Sequence, residues 1–390
     1  MDGYKQNAKW LVYFAPFRSL SISAAYLIPF FLEKGLSLSQ VFLLQSIFSA
    51  AYLLWELPSG VVADRYGRAL SIKLSVPVAA VAMIAYGFSG EFWQFVACEL
   101  LLALANGLVS GVNTALLQDS LKADGRGDEF VKLSQRMDAL GYAAVAIGVP
   151  VAILLVHYVS VSSTLVADGI LTACGMVFAL KLVEAPRYAA RQEDERLTAW
   201  HAVCALGSNV EVRWLVVLGT ALSAATYLAF WLSAPYFTEL GVPVVYFSAI
   251  LAVRSLWKAW LSHRFTQERH LERNMLGYAA LVGLVYFAMA SGQLWLVGLL
   301  LGHDVVQALH KQPLTNSLNV HMDQEFRATM NSTVNLVQRL VFAVAGPLVG
   351  LLADTAGLSV TFVVTGVACS TVAFVAIVRL HQLNTFNERR

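Results

Sequence analysis

The chain has 390 residues, of which 58% are hydrophobic and 13% charged, with a formal net charge of +2 and a mean hydropathy of +0.63. A soluble globular domain carries about 25% charged residues, so a water-soluble fold could not hide this much apolar surface. The short polar segments hold no glycine-rich phosphate loop, Ser/His/Asp arrangement or nucleic-acid-binding face.

Apolar runs long enough to cross a bilayer, about 20 residues at 1.5 Å each, recur from end to end. Twelve spans are predicted, at 10–32, 39–60, 69–89, 92–117, 131–155, 161–183, 212–237, 243–262, 274–291, 294–319, 327–352 and 358–380. The N-terminal MDGYKQNAKW is too short and polar for a cleaved signal peptide, so the first run is expected to be a span. Cys98, Cys174, Cys204 and Cys369 lie far apart with no metal or redox spacing, and are read as packing residues.

Lysine and arginine fix the expected orientation, since inward-facing loops collect them. With both termini cytoplasmic, 20 of the 27 fall on the inner side, only Lys34 falls outside, and the other six lie at or within spans. The longest polar stretch, from Glu184 to Val203, divides the spans six and six. The expected organisation is an N-terminal six-helix bundle (1–183), a cytoplasmic linker (184–211) and a C-terminal six-helix bundle (212–390). A faint repeat supports it: Glu129-Phe130 precedes Gly148-Val149-Pro150 in span 5, as Glu325-Phe326 precedes Gly346-Pro347 in span 11.

Between spans 2 and 3 the sequence reads GVVADRYGRAL, a G-x-x-x-D-R-x-G-R pattern formed by Gly60, Asp64, Arg65, Gly67 and Arg68. Twelve spans with this loop resemble the major facilitator superfamily of secondary transporters, by topology over the whole chain and by motif in this loop. The resemblance implies a conformational gate rather than a substrate site. Asp64 would sit against the N-terminus of helix 11, Gly60 would permit close packing, Gly67 would take the turn, and Asp119, or Asp128 or Glu129, would pair with the arginines. The chain departs from the family elsewhere: Ala103 stands where an arginine would precede Gly107 in span 4. Span 5 keeps only Gly141, Gly148 and Pro150 of the antiporter signature, while a G-P-x-x-G lies at Gly346–Gly350 in span 11.

Ionisable groups inside a bilayer cost about 2.5–3.5 kcal/mol on insertion scales, so each marks a candidate function. Arg18 falls about 12 Å into span 1, with Glu56 in span 2 or Glu99 in span 4 as an ion-pair partner. Glu99, Asn106, Ser110 and Asn113 form a polar stripe, either lining a cavity or bonding between helices. In span 8, Arg254 and Lys258 share a face. In span 10, His303, Asp304, Gln307, His310 and Lys311 fall on one stripe, and Arg339 lies about 18 Å beyond Arg327 in span 11. Arg254, Lys258, Lys311 and Arg339 against Asp304 leave three positive charges in excess, although Lys258 and Lys311 could instead snorkel to the interface.

The expectation is an all-α membrane protein of twelve transmembrane helices in two six-helix bundles around a central cavity, in the cytoplasmic (inner) cell membrane. Its gate residues are Gly60, Asp64, Arg65, Gly67, Arg68 and Asp119. Substrate-binding residues are Arg18, Arg254, Lys258, His303, Gln307, Lys311 and Arg339. Proton coupling falls to Asp304 first, then Glu99 or Glu56. It would move a small organic anion by alternating access, with export by proton antiport preferred and symport of an anionic nutrient as the alternative. A membrane enzyme or a receptor is the more distant reading. No cofactor, metal or nucleic acid is expected; the partners are substrate, protons and lipid bilayer, and the protein is read as a monomer.

Overall fold

The computed structural model describes residues 3–186, 209–265, 271–293, 298–321 and 327–385. Among these, nine helices are long and apolar enough to cross a membrane. Expected spans 1 and 10 are interrupted, and 11 and 12 run together as one kinked helix. The sequence between Arg187 and Ser208, which holds most of the expected linker, lies outside the described residues.

Two compact units emerge. The first comprises Met1–Leu36, Leu43–Gln192 and Val244–Ala249, and carries α1 (Asn7–Ser19), α2 (Leu27–Glu33), most of α3 (Leu38–Tyr66), α4 (Arg68–Phe88), α5 (Phe92–Val109), α6 (Val112–Ala123), α7 (Phe130–Tyr158) and α8 (Ser162–Ala179). Leu11, Phe14, Ile72, Leu116, Leu121 and Leu182 fill one end of its core. Helices α4 and α8 approach closely because small residues line the seam: a Cβ on Gly169 would lie 2.9 Å from the Ala80 carbonyl oxygen.

Helix α1 stops at Ser19 because Asp168 of α8 captures the next stretch of backbone. Its carboxylate accepts the N–H groups of Ile22 (2.7 Å) and Ser23 (2.9 Å) and the Ser23 hydroxyl (2.6 Å). These donors are thus satisfied outside a helix, which a buried chain break requires. Span 4 breaks at Gly111, whose φ of 68° is left-handed and free of steric cost only for glycine.

The second unit comprises Ser37–Phe42, Glu193–Pro243 and Ile250–Arg390. It carries α9 (Val210–Glu239), most of α10 (Phe247–Arg264), α11 (Leu271–Ala290), α12 (Leu300–Leu309), α13 (Lys311–Val320) and α14 (Arg327–Gln382). Asn209 caps α9 by accepting the N–H groups of Glu211 and Val212. Span 10 divides into α12 and α13 at His310 because Pro313 has no N–H for the Leu309 carbonyl and its ring crowds that oxygen. Gly357, with φ 82° and ψ 167°, kinks α14 where spans 11 and 12 were expected to part. In the same unit Asp354 accepts the N–H groups of Leu38 (2.9 Å) and Ser39 (2.8 Å), and a Cβ on Gly350 would lie 2.7 Å from Ser39 Cα.

Candidate functional site

The second unit gathers the expected charged stripe. Arg254 reaches from α10 to Asp304 on α12 with two parallel hydrogen bonds, Nε to Oδ2 at 2.9 Å and Nη2 to Oδ1 at 3.0 Å. Both side chains are buried, Asp304 completely. One turn along, Lys258 donates to Gln307 Oε1 at 2.9 Å. Trp257 donates to the Leu301 carbonyl and stacks on Trp260 with centroids 5.0 Å apart, which fixes α10 against α12.

The two histidines of the stripe point into the bundle and bond to α9. His303 Nε2 donates to the Ala225 carbonyl (3.2 Å), which also receives the Tyr286 hydroxyl (2.8 Å). His310 Nδ1 meets the Val306 carbonyl at 2.6 Å, and because a carbonyl only accepts, that nitrogen carries the hydrogen. Its Nε2 meets Ser223 Oγ at 3.0 Å.

Beside this network lies a cavity of about 470 Å³ between α9, α10, α12, α13 and α14. Gln307, His310, Lys311, Gln312, Asn335 and Gln338 supply its polar wall, and among the described residues no carboxylate lines it. Lys311 donates to Asn335 Oδ1 at 3.4 Å. Arg339 is half-buried on α14 and does not line this cavity.

In the first unit, the loop between α3 and α4 is a single residue, Gly67, at φ 109°. Arg68 pairs with the buried Asp119 of α6, and Arg65 lies over the Tyr66 ring at 5.7 Å. Glu184 accepts the Ala69 N–H at 2.9 Å, capping α4. A Cβ on Gly67 would come within 2.7 Å of Glu184 Oε2. Glycine is therefore favoured at this position by its backbone angle, and a Cβ there would also displace the Glu184 carboxylate. Asp64 is exposed on α3.

Glu99 is buried in the same unit, bonded to Tyr86, whose ring packs with Phe30, Phe31 and Phe95. Its Oε1 accepts from Gln45 Nε2 and from the Tyr86 hydroxyl, both at 2.7 Å. Ser110 accepts the Tyr52 hydroxyl, and Asn106 bonds to its own helix at Leu102. Asn113 keeps a buried Oδ1 with no hydrogen-bond partner among the described residues.

Several expectations need correction. Arg18 does not pair with Glu99 or Glu56: it is exposed on α1, Glu99 is held by neutral groups, and Glu56 is exposed on α3. Glu129 pairs with Arg126 (2.7 and 2.8 Å) instead of a gate arginine, because the two lie three residues apart on one turn. A Cβ on Gly60 would meet nothing within 4 Å among the described residues, so that glycine marks no close packing. His303 is a bundle residue bonded to backbone, outside the cavity wall.

Sequence reasoning missed Asp168, Glu184, Gln45, Tyr86 and Ser223. Asp168 carries the same signal as Glu99, an ionisable group inside a span. The others are signalled by nothing local, since their partners lie on other helices.

The family model described as the Major Facilitator Superfamily matches residues 10–346. The chain belongs to the major facilitator superfamily. It is 23% identical over 385 residues to YxaM of Bacillus subtilis (strain 168), an uncharacterized MFS-type transporter, covering 90% of this chain and 89% of that protein. Among solved structures, the nucleoside transporter NupG matches with a TM-score of 0.78 at 14% identity, covering 97% of this chain and 99% of that one. A D-xylose-proton symporter matches at 0.68 and 14% identity, covering 98% and 97%. At these identities the structural likeness is one of fold. Superfamily membership makes the protein a multi-span membrane transporter of a small molecule, and not an enzyme.

Proposed function

We propose that this superfamily member moves a small organic anion by alternating access of its twelve crossings, both termini cytoplasmic, in the inner cell membrane. The observation that carries this reading is the cavity in the second unit. Arg254 and Asp304 neutralise one another, while among the described residues Lys258 and Lys311 donate hydrogen bonds to the neutral amide oxygens of Gln307 and Asn335. A cavity with a lysine in its wall, a second lysine behind Gln307 and no lining carboxylate among the described residues favours a ligand that brings negative charge. The surrounding amides of Gln307, Gln312, Asn335 and Gln338 can donate to the remaining carboxylate lone pairs.

Protons are the proposed coupling ion, and Glu99 is proposed as their carrier in preference to Asp304. Asp304 is already compensated by Arg254 and could take a proton only after the pair opened. Glu99 is also buried, and its two bonding partners are neutral, so a proton can come and go there without breaking an ion pair. Gly346 and Gly350 pack against Phe42 and Ser39 at the start of α3, a role that carries no direction of transport.

Reconstituted proteoliposomes given a panel of labelled carboxylates, with neutral and cationic analogues, test the reading. Carboxylates should be carried in preference, and Lys311→Gln should raise their KM roughly tenfold to hundredfold, the loss of one charge-assisted hydrogen bond. Equal carriage of the neutral or cationic analogues by wild type and variant would refute it. Counterflow under an imposed pH gradient separates antiport from symport.

A further inference from the structure

A second cavity, of about 210 Å³, opens in the first unit between the start of α1 and the start of α7. Its wall carries Lys5, Lys9, Arg126 and Arg136, with Tyr13 and Leu133 among its apolar residues and, among the described residues, no carboxylate. A fifth cation stands beside it: Lys181 lies 4.2 Å from the Trp10 ring centroid, and Lys9 lies 4.9 Å from the same ring. Tyr13 continues the aromatic wall from Trp10 (6.2 Å) to Phe178 of α8 (5.9 Å). Tyr13, in the groove wall, is 45% exposed, so apolar surface borders the cations.

Arg126 is already held by Glu129 and, more loosely, by Asp124 at 3.4 Å. Among the described residues neither Lys9 nor Arg136 has an ion-pair partner. Gathering such charges in one groove costs repulsion that an anion would relieve. We propose that this groove binds the phosphodiester headgroup of an anionic phospholipid, with its acyl chains lying along the Tyr13 and Phe178 surface.

Two features favour a lipid over a free anion. The groove lies at the end of membrane-spanning helices, where tryptophan and tyrosine mark the headgroup level. Its cations sit beside exposed apolar surface, the pairing that basic pockets between spans offer to anionic headgroups. None of its residues belongs to the cavity of the second unit, so the inference does not depend on what is transported.

The test uses the full chain purified in neutral detergent, with dioleoylphosphatidylglycerol, dioleoylphosphatidylcholine or inorganic phosphate added, and lipid retention read by native mass spectrometry. Phosphatidylglycerol should be retained in preference to phosphatidylcholine. The double variant Lys9→Gln/Arg136→Gln should bind it about tenfold or more weakly, a few-fold per lost surface charge. Lys9→Arg/Arg136→Lys should keep wild-type retention, with thermal stability in phosphatidylcholine unchanged in both. Equal retention of the two lipids, an unaltered affinity in the double glutamine variant, or complete displacement by millimolar phosphate would overturn the proposal.

Discussion

Arg254 and Asp304 face one another with two near-parallel hydrogen bonds of 2.9 and 3.0 Å, and the carboxylate has no solvent exposure. Such a pair carries no net charge, yet neither member tolerates losing the other. Removing one partner of a buried pair typically costs about 3–5 kcal/mol, whereas replacing both by apolar groups of similar volume can be neutral. We expect Arg254→Met and Asp304→Asn each to lower the thermal midpoint in detergent sharply, and Arg254→Met/Asp304→Leu to recover most of the loss. Additive losses in the double variant would show that the two residues do not act as a unit.

Glu99→Gln should uncouple transport from a pH gradient. The glutamine carbonyl can still accept from Gln45 and Tyr86, so the enclosure is kept while the exchangeable proton is lost. Exchange of labelled for unlabelled substrate should persist without a gradient, and accumulation driven by the gradient should vanish. Gradient-driven accumulation at the wild-type level would remove Glu99 from the coupling mechanism.

Asp168→Ala should be more damaging than a typical interior polar substitution. It leaves the N–H groups of Ile22 and Ser23 buried without their acceptor, at about 1–3 kcal/mol for each orphaned group. Asp168→Asn, which keeps one acceptor oxygen, should fall between alanine and wild type. Thermal unfolding of the three proteins orders them directly, and equal midpoints would mean that water or rearrangement replaces the carboxylate.

Gly67→Ala combines two faults, a side chain at φ 109° and a Cβ within 2.7 Å of Glu184 Oε2. Glu184→Ala removes the cap of α4, worth about 1 kcal/mol. If both faults matter, Gly67→Ala should destabilise more than Glu184→Ala. The double variant should lie closer to Gly67→Ala than the sum of the two, because the clash disappears with the carboxylate. Strict additivity in thermal midpoints would show that the contact is relieved for free.

How much of this was legible in the sequence depended on how local its cause was. Membrane spans follow from composition alone, and the G-x-x-x-D-R-x-G-R loop reads directly because its residues are adjacent. Helical periodicity placed Asp304, Gln307 and Lys311 near one another, and α12 and α13 do so. It could not show that Asp304 would turn inward to Arg254 while Lys311 turned to the cavity, since that depends on the break at His310. The interruption of α1 was invisible for the same reason: nothing near Leu20 forbids a helix, and the cause is Asp168, some 146 residues from Ile22 along the chain. Arg126 shows the converse, a charge drawn to its neighbour Glu129 before any distant partner could claim it.

Glu184 also bears on where this polypeptide can be divided. The expected linker starts at that residue, yet Glu184 caps α4 and Ala185 is buried in the core of the first unit. Two separately expressed halves, or a reporter inserted between them, should therefore be joined downstream of Ala185. A cut only two residues earlier would take the first half's own end away from the turn at Gly67, and that half would be made without the piece that finishes it.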